Sequence, residues 1–127
     1  AASLLVSVTG LTYSNAIVLN TGTTGTLTIG NTGTAISTIF SGGVTGTNNL
    51  VINEGGTTGT ITFSTVAINN TGTSTNTGSG SGTTTISAGV GSNVTGVTQN
   101  SATSALMRSG TDTYTGHTTI SRGRLKL

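Results

Sequence analysis

The chain has 127 residues, 31% of them hydrophobic and 3% aromatic, with four basic and two acidic side chains for a formal net charge of +2. Four cations are too few for a nucleic-acid surface, and the absence of cysteine excludes disulfides, thiolate metal sites and a Cys nucleophile. No apolar run approaches the roughly 18 to 20 residues that a membrane helix needs.

Thr (32), Gly (21), Ser (15) and Asn (11) dominate the composition. Disordered chains are rich in Pro, Glu and Lys and poor in β-branched residues. This chain has no Pro and few charges, while Thr, Ile and Val are strand formers. An all-β chain with many turns follows, in a single domain over residues 1–127. With two Phe, two Tyr and no Trp, a globular core of ordinary thickness cannot be filled. A solenoid can, because its core is a thin column and each rung buries its face on the next.

In chain order, SLLVSV (3–8) is the most continuous apolar run and reads as an edge or fully buried strand. The opening residues are too short an apolar run, and lack the basic flank, for a signal peptide. TGLTYSNA (9–16) reads as a turn region. Short strands follow: AIVLN (16–20), TLTIG (26–30), AISTIF (35–40), NLVIN (49–53), TITFS (60–64) and TVAIN (65–69). Between them lie TGTTG, NTGT, SGGVTGTN and EGGTTG, whose Gly and Asn supply the positive φ of tight corners. Residues 71–85 are the least patterned and read as a wide corner or protruding loop, the alternative being a rung whose inward side chains are Thr and Ser. Short strands then resume around Val90, Val94, Val97 and Leu106.

No helical pattern separates the strands, so helical crossovers are excluded. A hairpin sandwich and a β-helix both remain. Hairpins favour Asn-Gly and Asp-Gly turns, and neither dipeptide occurs here. An echo supports coiling: GTTGTLTI (22–29) returns as GTTGTITF (56–63), and NTGT recurs at 31–34 and 70–73. Rungs of roughly 20 to 25 residues are expected, five or six in all, at about 4.8 Å each.

The last stretch, LMRSGTDTYTGHTTISRGRLKL (106–127), forms two short strands around a polar turn, and RLKL alternates, with Leu125 and Leu127 on one face. Ser109, Gly110, Thr113, Tyr114, Thr115, Gly116, Thr118, Thr119, Ile120, Gly123, Leu125 and Leu127 fall on the pattern S-G-x-N-T-Y-T-G-x-T-T-I-x-x-G-x-L-x-L. This stretch resembles the passenger-associated strand repeat of bacterial autotransporters. The resemblance implies a right-handed parallel β-helix, secreted or displayed on a bacterial cell surface. It implies no chemistry, because the motif is structural.

The ionisable groups are sparse. Glu54 and Asp112, the only two acids, lie far apart in sequence, whereas glycoside hydrolysis in most families needs a carboxylate pair. Glu54 reads as a solvated corner residue and Asp112 as a turn residue where the repeat usually has Asn. The single histidine, His117, reads as an exposed turn residue rather than part of a triad. One His and two carboxylates do not make a closed zinc site. No catalytic, cofactor-binding or metal-binding residue is assigned. The sequons at Asn69 and Asn93 are what chance gives in so Asn- and Thr-rich a chain. Five of the six charges, Arg108, Asp112, Arg122, Arg124 and Lys126, fall in the last 20 residues. They read as a solvated outer face, the alternative being an interface for an anionic partner.

The expected function is that of a non-enzymatic extracellular structural protein that binds itself head to tail. Both terminal segments read as interior rungs without the caps that solenoids usually carry. The expected contact residues are Leu4, Leu5, Val6 and Val8 at one end and Arg122, Arg124, Leu125, Lys126 and Leu127 at the other. Two other expectations are a fragment of an adhesin passenger binding glycans or a cell surface, and an ice-binding solenoid using T-x-T units such as Thr60-Ile61-Thr62.

Overall fold

The computed structural model describes residues 1–22 and 24–127; Thr23, within the first of the two echoed segments, lies outside them. The chain coils through three faces. The first face stacks β1 (Ala2–Val6), β4 (Leu27–Asn31), β7 (Leu50–Glu54), β9 (Gly72–Asn76), β11 (Val94–Asn100) and β13 (His117–Arg122). The second stacks β2 (Leu11–Tyr13), β5 (Ile36–Phe40), β8 (Gly59–Phe63), β10 (Thr83–Ile86), β12 (Leu106–Arg108) and β14 (Leu125–Lys126). The third and shortest pairs β3 (Ile17–Leu19) with β6 (Val44–Gly46). Single bridges carry it on from Val44 to Ile68 and from Ile68 to Val90.

Every strand pair among the described residues is parallel. The molecule is a parallel β-solenoid of about five turns, and the hairpin sandwich is excluded. Leu27 pairs with Leu50 and Leu50 with Ser74, steps of 23 and 24 residues. The rung length is thus within the expected range.

The core is a set of columns, each formed by the residue that every rung places at one inward position. One runs Leu4, Ile29, Ile52, Asn76, Gln99, Ile120. Another runs Tyr13, Phe40, Phe63, Ile86, Arg108. Its aromatic part is continuous: the Phe40 and Phe63 rings stack with centroids 5.4 Å apart, and Tyr13 meets Phe40 edge-on at 6.2 Å. A column lets each side chain pack on its own kind above and below, so few apolar residues suffice.

Several local expectations change. TGLTYSNA, expected as a turn region, contains β2, and SGGVTGTN, expected as a corner, contains β6. Residues 71–85 hold β9 and β10, with a corner of residues 77–82 between them. TVAIN is no strand: it contributes one bridge, at Ile68, and Thr65 turns the chain with a φ of 68°. The echoed segments do not stack. Residues 27–29 lie in β4 on the first face, whereas 59–63 form β8 on the second. T-G-T units serve more than one corner, so their recurrence does not mark the rung period.

Candidate functional site

Glu54 ends β7 at the corner between the first and second faces, stacked on Asn31 of the rung before. It is 0% exposed, not the solvated corner residue its sequence context suggests. The strand alternates Leu50 in, Val51 out, Ile52 in, Asn53 out, and that parity turns Glu54 inward. Its Oε1 accepts a bond from the Gly56 amide at 3.1 Å. Its Oε2 has no partner of good geometry, although the Gly82 amide lies close enough to favour the charged form. Burial outweighs the bonds from Asn31, Gly56 and Gly82 and pushes the carboxyl pKa up. Gly82 leaves room for the carboxyl group, since a Cβ there would stand 2.5 Å from Oε2.

Beyond Glu54 the interior of this corner is polar and hydrogen-bonded. Asn76 Nδ2 donates to Gln99 Oε1 at 2.7 Å, and Thr84 Oγ1 donates to Asn76 Oδ1 at 3.0 Å. Gln99 Nε2 donates to the Ser104 carbonyl at 2.8 Å, and Ser101 Oγ to the Gly78 carbonyl at 2.6 Å. These amides and hydroxyls bond to one another and to backbone carbonyls, and they fill the inward positions between 72 and 104 that Ile86, Val90, Val94 and Val97 do not.

Arg108 occupies the far end of the aromatic column, above Ile86, and is 5% exposed. It pairs with Asp112 and donates from Nη1 to the Tyr114 hydroxyl at 2.7 Å. Its guanidinium stands 4.9 Å from the Tyr114 ring centroid. The Tyr114 hydroxyl in turn contacts the Thr118 hydroxyl. Burial opposes the charge, but Asp112 and Tyr114 outweigh it and hold the guanidinium firmly protonated. Asp112 is therefore more than a turn residue: its Oδ1 also accepts from the Val90 amide at 2.9 Å. Among the described residues no bond joins Asp112 to His117, which stands exposed at the start of β13. None of these residues groups three or more His, Cys, Asp or Glu into a metal cluster.

The remaining feature is the pair of ends. At one, β1, β2 and β3 have no rung over them, and the inward-facing Leu4, Leu11 and Tyr13 are exposed. A cavity of about 280 Å³ opens there, lined by Ala2, Leu4, Ile17, Leu19, Leu27 and Ile29 among others. At the other end, β13 and β14 are the outermost strands, and the inward Ile120 is 57% exposed.

The residues expected to make end-to-end contacts divide between these ends. Leu4 lies in the open inward row, Leu5 and Val8 are exposed, and Val6 is buried beneath the corner. Arg122, Arg124 and Lys126 are exposed, Leu125 packs against the core, and Leu127 is 94% exposed. Sequence reading missed Ala2, Leu11, Tyr13 and Ile17 at the first end and Thr118 and Ile120 at the second. Parity was the available signal: Ile120 shares a face with Thr118 in TTIS as Leu4 does with Ala2. Comparison with protein-family models, with curated proteins and with solved structures returns no match.

Proposed function

We propose that the chain is a non-enzymatic, extracellular structural solenoid whose subunits stack head to tail. The observation that carries the reading is the match between the two open ends. Pairing β13 of one copy with β1 of the next, in the register of the interior rungs, sets Thr118 over Ala2 and Ile120 over Leu4. The same step on the second face sets Leu125 over Leu11. The inward columns of the first and second faces then continue across the junction, and the strand polarity stays parallel. Unpaired strand edges are templates for such addition, and a heterologous contact that does not close gives a filament. An extracellular, bacterial setting rests on the resemblance of residues 106–127 to the passenger repeat. In the adhesin-fragment reading, further rungs of the same polypeptide cover the ends.

Sedimentation velocity over a range of concentrations, with wild type and Ile120→Lys, tests the proposal. Wild type grows with concentration, and Ile120→Lys, which places a charge in the junction, stays monomeric with unchanged circular dichroism. A wild type that is monomeric throughout overturns it. A second reading, ice binding, has one observation in its favour. On the second face Ser37, Thr60 and Thr83 stack in one outward column beside a second column of Ile39, Thr62 and Thr85. An ice-recrystallisation assay without inhibition removes that reading.

A further inference from the structure

Arg122, Gly123, Arg124, Leu125 and Lys126 form the outermost corner between the first and second faces. Gly123, with a φ of 71°, turns the chain sharply between the two arginines. Arg122 pairs in register with the exposed Asn100, and Lys126 with the exposed Met107. Both therefore stand on the outer surface, where they remain whether or not another rung follows. Among the described residues no side chain of Arg122, Arg124 or Lys126 has an ion-pair or hydrogen-bond partner.

No acidic side chain is left to offer them. Of its two acids, Asp112 is bound to Arg108 and Glu54 is sealed in the core. The opposite end brings the Ala1 amine, which is bonded to the Thr24 carbonyl, and no carboxylate side chain. Stacking therefore brings the corner no carboxylate side chain. Three cations within five residues point to an anionic ligand from outside the chain.

The neighbourhood selects among anionic ligands. Duplex nucleic acid asks for more phosphate contacts than three cations make, and single strands ask for exposed aromatic platforms, whereas Tyr114 packs against the core. A membrane surface attracts each cation only weakly, and the corner wraps around Gly123 instead of presenting a flat face. A flexible sugar chain bearing carboxylate or sulfate groups can follow that bend and meet each cation singly. We propose that the outer corner formed by Arg122, Arg124 and Lys126 binds an anionic polysaccharide.

The test uses the full chain on immobilised heparin and polygalacturonate, with neutral dextran, anionic phospholipid vesicles and duplex DNA as comparison arms. Binding to both acidic polysaccharides is expected. For three ion contacts, each releasing about 0.7 counterion as on a single-stranded polyanion, it should weaken by about 20-fold between 50 and 200 mM salt. The variant R122Q/R124Q/K126Q should lose binding, while R122K/R124K, which keeps the charge, should retain it. No binding by wild type, binding unchanged in R122Q/R124Q/K126Q, or equal affinity for vesicles or DNA overturns the proposal. Arg122 and Lys126 stand outside the inward columns, so loss of binding in R122Q/R124Q/K126Q is read apart from loss of stacking.

Discussion

Replacing Glu54 by Gln isolates the effect of one proton on the whole fold. The side chain is 0% exposed, has no cation among its partners, and burial raises its pKa above the ordinary value of 4.5. In the unfolded chain Glu54 ionises near 4.5, while in the folded chain it stays neutral to higher pH. Between those two pKa values the folded state holds the proton and the unfolded state does not. Its contribution to stability is thus fully present below pH 4.5 and is lost as the pH rises toward the folded value. At full slope the loss is about 1.4 kcal/mol per pH unit. Gln keeps an oxygen for the Gly56 amide and removes the titration. Denaturant unfolding followed by circular dichroism at successive pH values from 4 to 9 should show wild-type stability falling with pH above about 4.5. The slope should be absent from Glu54→Gln. Equal slopes in the two proteins, or wild-type stability rising with pH, would refute the reasoning.

Phe63 is fully buried between Phe40 and Ile86, so Phe63→Ala should cost about 3 to 5 kcal/mol in the same unfolding measurement. Removing the buried cation with Arg108→Ala leaves Asp112 unpaired and a hole above Ile86, and should cost about 3 kcal/mol. The double change Arg108→Leu with Asp112→Asn, which removes both charges and restores an apolar column, should recover to within about 1 kcal/mol of wild type. Gly82→Ala places a methyl group 2.5 Å from the Glu54 carboxyl oxygen and 2.6 Å from the Gly59 carbonyl. It should lower the thermal midpoint by several degrees, and Glu54→Ala should relieve only part of the loss.

The solenoid was legible because a coil shows itself in short strands at near-regular spacing, in Gly and Asn corners, and in a hydrophobic content too low for a thick core. The apolar strands β4, β5, β7 and β8 were legible for the same reason. β9 and β10 were not, since their inward Ser74, Asn76 and Thr84 are polar and bond to other buried polar groups. Composition cannot distinguish such a rung from a loop. Glu54 and Arg108 defy the expectation of solvent exposure because a charge ordinarily stays in water unless it is paired or bonded. Both lie two residues beyond an inward apolar neighbour, Ile52 and Leu106, so strand parity already pointed them into the core. The end rows follow the same rule, and it turns Ile120 inward over Gln99. The T-G-T echo pointed to coiling for a local reason: it marks a corner requirement shared by segments that do not stack, not the rung period.

Helical reconstruction by electron microscopy of the assembled protein tests the stacking most directly. The first face has six strands, and at about 4.8 Å per rung one subunit should advance the filament by about 29 Å along its axis. A filament with that rise, and with strands running across the axis in one unbroken parallel ladder through the junctions, is the predicted result. Separate short rods at high concentration, or a filament whose junctions leave β1 and β13 unpaired, would contradict it.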